Sequence, residues 1–297
     1  MNSNHGEGAV DANFRDPHYQ RGIFLVMSAG VLWSLTALLL RYIEIAGPWQ
    51  IVTMRAGSLG AFILLYLIFR YRGGTLDQFR RIGLNGLLAA LFVAVSITGL
   101  VFSVTETTVA NAMFILAGAP FAAAGLAWLI MGERVSLAVI VAMIVVVAGI
   151  GIMVGDGIGA GFLLGNLLAV MTMLGYAAYV VFLRRGRRQD MLPALCLGGF
   201  LAAGVAAIFA DGFAVTGQDI WLSCLMGAGL IGVGLIFFTA GSRHLPAAEL
   251  IFFALIEIVL APVWVWAGLG EVPRDLTLAG GGVVLAAIVG QALFGRR

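Results

Sequence analysis

The chain has 297 residues, 61% of them hydrophobic and only 11% charged, where a soluble domain carries roughly 45–50% apolar and about 25% charged residues; this excludes a soluble globular enzyme. The formal net charge is +2, with no basic stripe beside stacking aromatics, which argues against nucleic acid as a partner. All 17 cationic side chains are Arg, so mechanisms that need a catalytic or Schiff-base lysine, PLP chemistry among them, are excluded.

Residues 1–21 are polar and carry His5, Asp11, Asp16 and His18. They lack the short basic region of a signal peptide and read as a cytoplasmic tail. Ten mainly apolar runs follow, each near the about 20 residues that a membrane helix needs: 22–43, 48–70, 80–103, 107–131, 136–154, 161–184, 190–211, 219–241, 246–270 and 276–294. No run alternates apolar and polar residues as a membrane strand does. The expectation is an all-α integral membrane protein with ten transmembrane helices. The 41 glycines fit close helix packing in a bilayer. Cys196 and Cys224 each lie inside an apolar run and read as small buried hydrophobes.

Cytoplasmic loops retain positive charge. With the N-terminus inside, the tail and the inner joints hold Arg15, Arg21, Arg70, Arg72, Arg80, Arg81, Arg134, Arg184, Arg185, Arg187, Arg188, Arg243, Arg296 and Arg297, leaving only Arg41 and Arg274 in the outer joints. Both termini are therefore expected in the cytoplasm. The outer joints carry acids instead, Glu44, Glu106, Asp156, Asp211, Asp219, Glu271 and Asp275 among them.

Within the spans, ionisable groups at bilayer depth are candidate functional residues. Arg55 lies about 10 Å along the second span, where it can snorkel, meet a structural partner or meet a substrate carboxylate. Glu257 lies near the centre of the ninth span, where the charged form is expensive; a proton-coupling or amine-binding role and a role as hydrogen-bonding glue stand equally open. Glu249 lies one turn into the same span, about 12 Å of rise from Glu257, so the two are not one paired-carboxylate site. Glu249 aligns with Asn111 across the repeat described below, and both can be polar pocket contacts or ordinary structural groups. Trp33, Tyr176, Tyr179, Phe237, Phe238, Phe252 and Phe253 lie well inside spans and suit the walls of a solute pocket. Trp49, Trp221 and Trp264 or Trp266 lie nearer the span ends and fit the interfacial belt. Pro120 and Pro262, deep in spans four and nine, should bend those helices, as hinges or as static kinks.

The chain matches itself at an offset of 138 residues, so that Ala110–Glu133 overlies Ala248–Glu271 and Gly132-Glu133 falls on Gly270-Glu271. Each half, 22–155 and 156–297, then holds five spans, and an odd number makes the second copy cross in the opposite sense. Inverted repeats are the architecture of alternating-access carriers, with solute near the midplane between the halves.

Gly30-Val31-Leu32-Trp33-Ser34, Pro48 followed by Arg55, and the span-four ending Gly132-Glu133-Arg134 resemble the EamA-type drug/metabolite transporters, most closely the YddG-type exporters of amino acids and related metabolites. The second copy has Glu257 where that family often carries a Glu-Pro pair. Departures are Ala119-Pro120 in the first copy, Glu257-Ile258 with proline displaced to Pro262 in the second, and no arginine after Pro193 to match Arg55. The resemblance implies export of small amphipathic metabolites from the cytoplasm across the inner membrane. Amino acids, aromatic ones included, are the leading class, and a multidrug or organic-cation exporter of the same fold is the alternative.

A membrane transferase is the rival class. It would need a metal-binding acidic cluster or a His–acid pair, and the chain has only three histidines. No glycine-rich loop ends in Gly-Lys-Ser or Gly-Lys-Thr, so ATP hydrolysis is not expected. Neither a metal nor another cofactor is implied, and the partners are a small-molecule solute and the bilayer, with the chain acting as a monomer or a weak homodimer.

Overall fold

The computed structural model describes residues 17–133, 135–186, 188–245 and 247–294; the side chains of 156, 159, 160, 247–255 and 292–294 fall outside that description. The chain is all α-helical among these residues: α1 (Pro17–Arg41), α2 (Pro48–Tyr71), the short α3 (Thr75–Arg81), α4 (Gly83–Glu106), α5 (Val109–Leu116), α6 (Ala119–Met131), α7 (Leu137–Ala160), α8 (Leu163–Arg185), α9 (Leu192–Phe209), α10 (Gly217–Cys224), a π-helical stretch Leu225–Gly232, α11 (Val233–Gly241), α12 (Ala247–Leu269) and α13 (Asp275–Phe294). Eight continuous helical runs are long and apolar enough to cross a membrane, and the last two helices are apolar as well. Ten spans result, with span four made of α5 and α6, and span eight made of α10, the π stretch and α11.

The boundaries follow from local chemistry. Thr108, Ser136 and Thr216 cap α5, α7 and α10, each hydroxyl accepting the backbone N–H three residues on, which satisfies a donor the helix leaves free. Gly132 and Gly270 take φ of 67° and 70°, a left-handed conformation that ends a helix and that glycine adopts without a Cβ penalty. Spans four and nine therefore stop at the same point of each repeat. The first helix starts earlier than its apolar run suggests, at Pro17 rather than residue 22. Proline suits a helix start, and Tyr19, Gly22, Val26 and Ala29 continue one buried stripe, so the tail ends before Pro17.

Helix pairing carries the repeat into three dimensions. Span one packs on spans eight and nine, and span six packs on spans three and four; span two packs on span seven, and span five on span ten. Exchanging each span with the one five further on maps these pairs onto one another or onto themselves, as a two-fold inverted repeat requires. In the last pair Gly149 and Gly280 lie against each other's carbonyl oxygens, which brings α7 and α13 into backbone contact. Large apolar side chains such as Phe69, Leu137, Val147 and Ile208 point outward, the arrangement of a bundle whose solvent is lipid rather than water. One end of the bundle holds Arg41, Asp219 and Glu271; the opposite end holds Arg70, Glu133, Arg184 and Arg243.

Candidate functional site

Three helices turn a polar or aromatic side chain away from their lipid face. On α8, Leu164, Leu167, Met171 and Leu174 form an exposed stripe, and Tyr176 lies about 200° round the helix from Leu174 at roughly 100° per residue. Tyr176 is nevertheless 44% exposed, so it borders an accessible cleft on the side of α8 turned away from that stripe. On α12, Val259, Val263 and Trp266 face outward while Glu257 lies about 200° from Val259. On α1, Phe24 faces outward and Trp33 is about half a turn away from it.

Two of these side chains, Glu257 and Tyr176, converge, while Trp33 packs on span eight. Glu257 interacts electrostatically with both Arg55 and Tyr176, and the Tyr176 and Tyr179 rings lie 5.9 Å apart. Arg55 and Glu257 do not close into an ion pair within the 4.0 Å of a salt bridge, and the buried Nε of Arg55 has no hydrogen-bond partner among the described residues. Arg55 is only 5% exposed. A buried guanidinium with an unused donor costs free energy, and beside a carboxylate with which it forms no ion pair it has donors left for a further acceptor.

Span eight shapes the wall beside Arg55. Its glycine run, Gly227, Gly229 and Gly232, adopts the π stretch, and Gly227 presses on the Arg55 backbone carbonyl and the Ser58 hydroxyl. The Trp33 indole N–H donates to the carbonyl of Ile231 at 3.3 Å, Ser58 Oγ donates to that of Cys224 at 3.4 Å, and the Trp33 ring meets Phe238 at 5.5 Å. π-helical turns concentrate at functional sites because the widened turn re-aims backbone and side chains. The sequence shows the glycines and not the π register.

The other expected residues distribute differently. Asn111 is fully buried at the Arg41 end, where its amide is consumed: Nδ2 donates to Asn166 Oδ1 at 3.0 Å and to Thr107 Oγ1, while Oδ1 accepts from Thr277 Oγ1. It lies in a network joining α5, α8 and α13 rather than beside Glu257. Phe237 lines a recess on the outward side of α1 with Phe24, Met27 and Val31; the ring that meets Trp33 is its neighbour Phe238. Glu249, Phe252 and Phe253 have side chains outside the described residues. Pro120 stands in the first turn of α6, just after a break at Ala117–Gly118, whereas Pro262 sits inside a continuous α12. Trp264 donates to Ser34 Oγ at 2.9 Å and so belongs to the α1–α12 contact, while Trp266 is exposed as an interfacial residue would be.

Asp219, expected in an outer joint, is instead buried within α10. Its carboxylate accepts the backbone N–H groups of Glu44, Ile45 and Ala46 at 2.9, 3.1 and 2.9 Å, fastening the α1–α2 joint to span eight. Among the described residues no cluster of three or more His, Cys, Asp or Glu is placed to hold a metal ion. A second recess, between α2 and α11 and lined by Phe62, Tyr66 and Arg243, holds neither Arg55 nor Glu257.

Residues 20–155, which cover the first five spans, match the EamA-like transporter family. No curated protein matches the chain significantly. Solved structures do: one described only as "Crystal structure of protein" is similar over 93% of this chain and 98% of its own, with a TM-score of 0.61 at 17% identity, a likeness of fold. Together with the ten apolar helices these findings make the chain a multi-pass membrane protein.

Proposed function

We propose that this chain is a secondary transporter that exports small amphipathic metabolites across the inner membrane by alternating access, without ATP and with both termini in the cytoplasm. Its leading solutes are amino acids and related zwitterions. The observation that carries this reading is the buried Arg55 with an unused Nε donor and, near it, Glu257, which lies close to Tyr176 as well, the Tyr176 ring standing 5.9 Å from that of Tyr179. A zwitterion supplies a carboxylate for the guanidinium, whose planar fork suits it, and an ammonium for Glu257, while aromatic walls take an apolar side chain. The family match over residues 20–155 and the two-fold exchange of helix pairs support a carrier with its site between the halves.

Flux of labelled amino acids and organic cations through purified protein in liposomes, with and without a pH gradient, tests the proposal. Saturable amino acid flux that Arg55→Gln and Glu257→Gln each abolish is the expected outcome; no saturable flux of any solute overturns it. Glu257 beside tyrosines also fits an organic cation, since an acid with aromatic faces is a cation site. In that case flux of cations survives Arg55→Gln and disappears with Glu257→Gln, which separates the two solute classes.

A further inference from the structure

Two ion pairs occupy repeat-equivalent places at opposite ends of the bundle. Gly132 and Gly270, left-handed at φ 67° and 70°, end spans four and nine and set Glu133 and Glu271 one residue beyond. Glu271 pairs with Arg41 at the end of span one at 3.0 Å. Glu133 pairs with Arg184 at the end of span six at 2.9 Å. Spans one and six, like spans four and nine, exchange under the internal repeat, so the two pairs are one device used twice.

They are not in the same condition. Arg41 also donates to the carbonyl of Thr107 at 2.9 Å, and Glu271 accepts the backbone N–H of Val109 at 2.8 Å. The pair thereby grips the joint between span three and the first turn of α5. α1 and α12 pack together while α4 and α5 pack on α8, and the two sets meet in one buried apolar cluster that includes Ala37, Val104, Val109, Met113, Ala261 and Val265, so the grip adds a polar contact between sets that already touch through α5 and α12. Its side chains are 27% and 24% exposed, against 51% and 39% for Arg184 and Glu133. Arg41 Nε, buried without a partner among the described residues, leaves the grip incompletely satisfied, as suits a contact that must release. The position 138 residues beyond Val109 is Ala247, the first residue of α12.

We propose that Arg41–Glu271 and Arg184–Glu133 are the two gate clamps of the carrier, engaged in alternation. The first closes the outer end here by holding α5. When the outer end opens it lets go, and Arg184–Glu133 closes on the start of α12 at Ala247. The proposal rests on the carrier reading above, and its test needs no solute. With Cys196 and Cys224 replaced by Ala, Tyr176→Cys places one thiol in the cleft. Labelling by a charged, membrane-impermeant methanethiosulfonate reagent is then timed in right-side-out and inverted vesicles.

Arg41→Gln and Glu271→Gln should each raise the ratio of outside to inside labelling rates about tenfold, the size of a common conformational coupling, and Arg184→Gln and Glu133→Gln should lower it. The charge exchange Arg41→Glu with Glu271→Arg should bring the ratio back toward its starting value. Where a neutralised variant fails to assemble in detergent, Arg41→Lys, which keeps the charge but replaces the planar head whose Nη2 reaches both Thr107 and Glu271, should shift the ratio in the same direction by less. An unchanged ratio, or a shift of the same sign for both pairs, overturns the clamps. Shifted labelling, when the parent chain that keeps Tyr176 moves no solute in liposomes, would keep the clamps and remove the carrier reading, and flux through the parent chain without shifted labelling would do the reverse.

Discussion

Gly227 rests on the backbone carbonyl of Arg55, so the π-helical turn of the second half lies directly beneath the one arginine that is buried among the described residues of the first half. The position of the guanidinium is therefore fixed by the packing of its own backbone as well as by any partner of its side chain. Its counter-charge, Glu257, comes from a third helix, and no hydrogen bond of either group ties the two together.

Gly227→Ala should accordingly displace α2. A Cβ there would meet the Arg55 carbonyl and the Ser58 hydroxyl, and overpacking of this kind costs about 1–3 kcal/mol. Gly204→Ala on α9, where a Cβ meets nothing within 4 Å, should be neutral or slightly stabilising, since alanine favours helix by up to about 1 kcal/mol. Thermal unfolding of both variants in detergent is the check. A Gly227 variant as stable as the Gly204 variant would mean that the π stretch yields without moving Arg55.

Glu257 and Arg55 should be coupled in stability and separable in transport. Removing one charge leaves the other buried without its counter-charge, and such orphaning is costly even where the pair itself gives little net stability. Glu257→Leu alone should lower the unfolding midpoint more than the double variant Arg55→Leu/Glu257→Leu, while both abolish flux. If the double variant is the less stable, the two groups stabilise the fold independently and the cleft is not electrostatically shared.

Much of the fold was legible in the sequence because lipid demands long apolar runs and satisfied backbone, and because Gly132-Glu133 and Gly270-Glu271 mark the same helix ending twice. Arg55 and Glu257 were legible as isolated charges at depth. Their juxtaposition was not, since they lie in different repeats and no periodicity links residues on separate helices. The π register of Leu225–Gly232 was hidden for a related reason: glycines permit it, but contact with α2 and α1 selects it. Asp219 looked like a loop acid because it follows a joint, and only the three N–H groups of the α1–α2 joint explain why it is buried.

Asn111 should behave as a fastening rather than as a solute contact. Asn111→Leu removes the acceptor of Thr277 and a donor to Asn166, and orphaned buried polar groups cost about 1–2 kcal/mol here, moderated by the partners available in an unfolded membrane state. The unfolding midpoint should fall while the KM of any transported solute stays within about twofold, less than 0.5 kcal/mol of binding. A KM change without a stability change would put Asn111 in the solute path instead.

Asp219→Asn should loosen the α1–α2 joint. The carboxylate accepts one backbone N–H of that joint on Oδ1 and two on Oδ2; an Asn keeps one acceptor oxygen and turns a donating NH2 to the rest, and the bonds it keeps lose their charge assistance, so a loss of about 1–3 kcal/mol is expected. Because the same joint follows Arg41, the loosening should also reach the Arg41–Glu271 clamp. A single thiol from Ile45→Cys, at an exposed position of the joint, should exchange between spin-label mobility states more freely in Asp219→Asn than in the parent. Asp219→Glu, which keeps the charge but overreaches, should fall between the two. Equal mobility in all three would show that the joint is held by Gln50 and Gln218, whose amides donate to Gly212 and Tyr42, and not by the buried carboxylate.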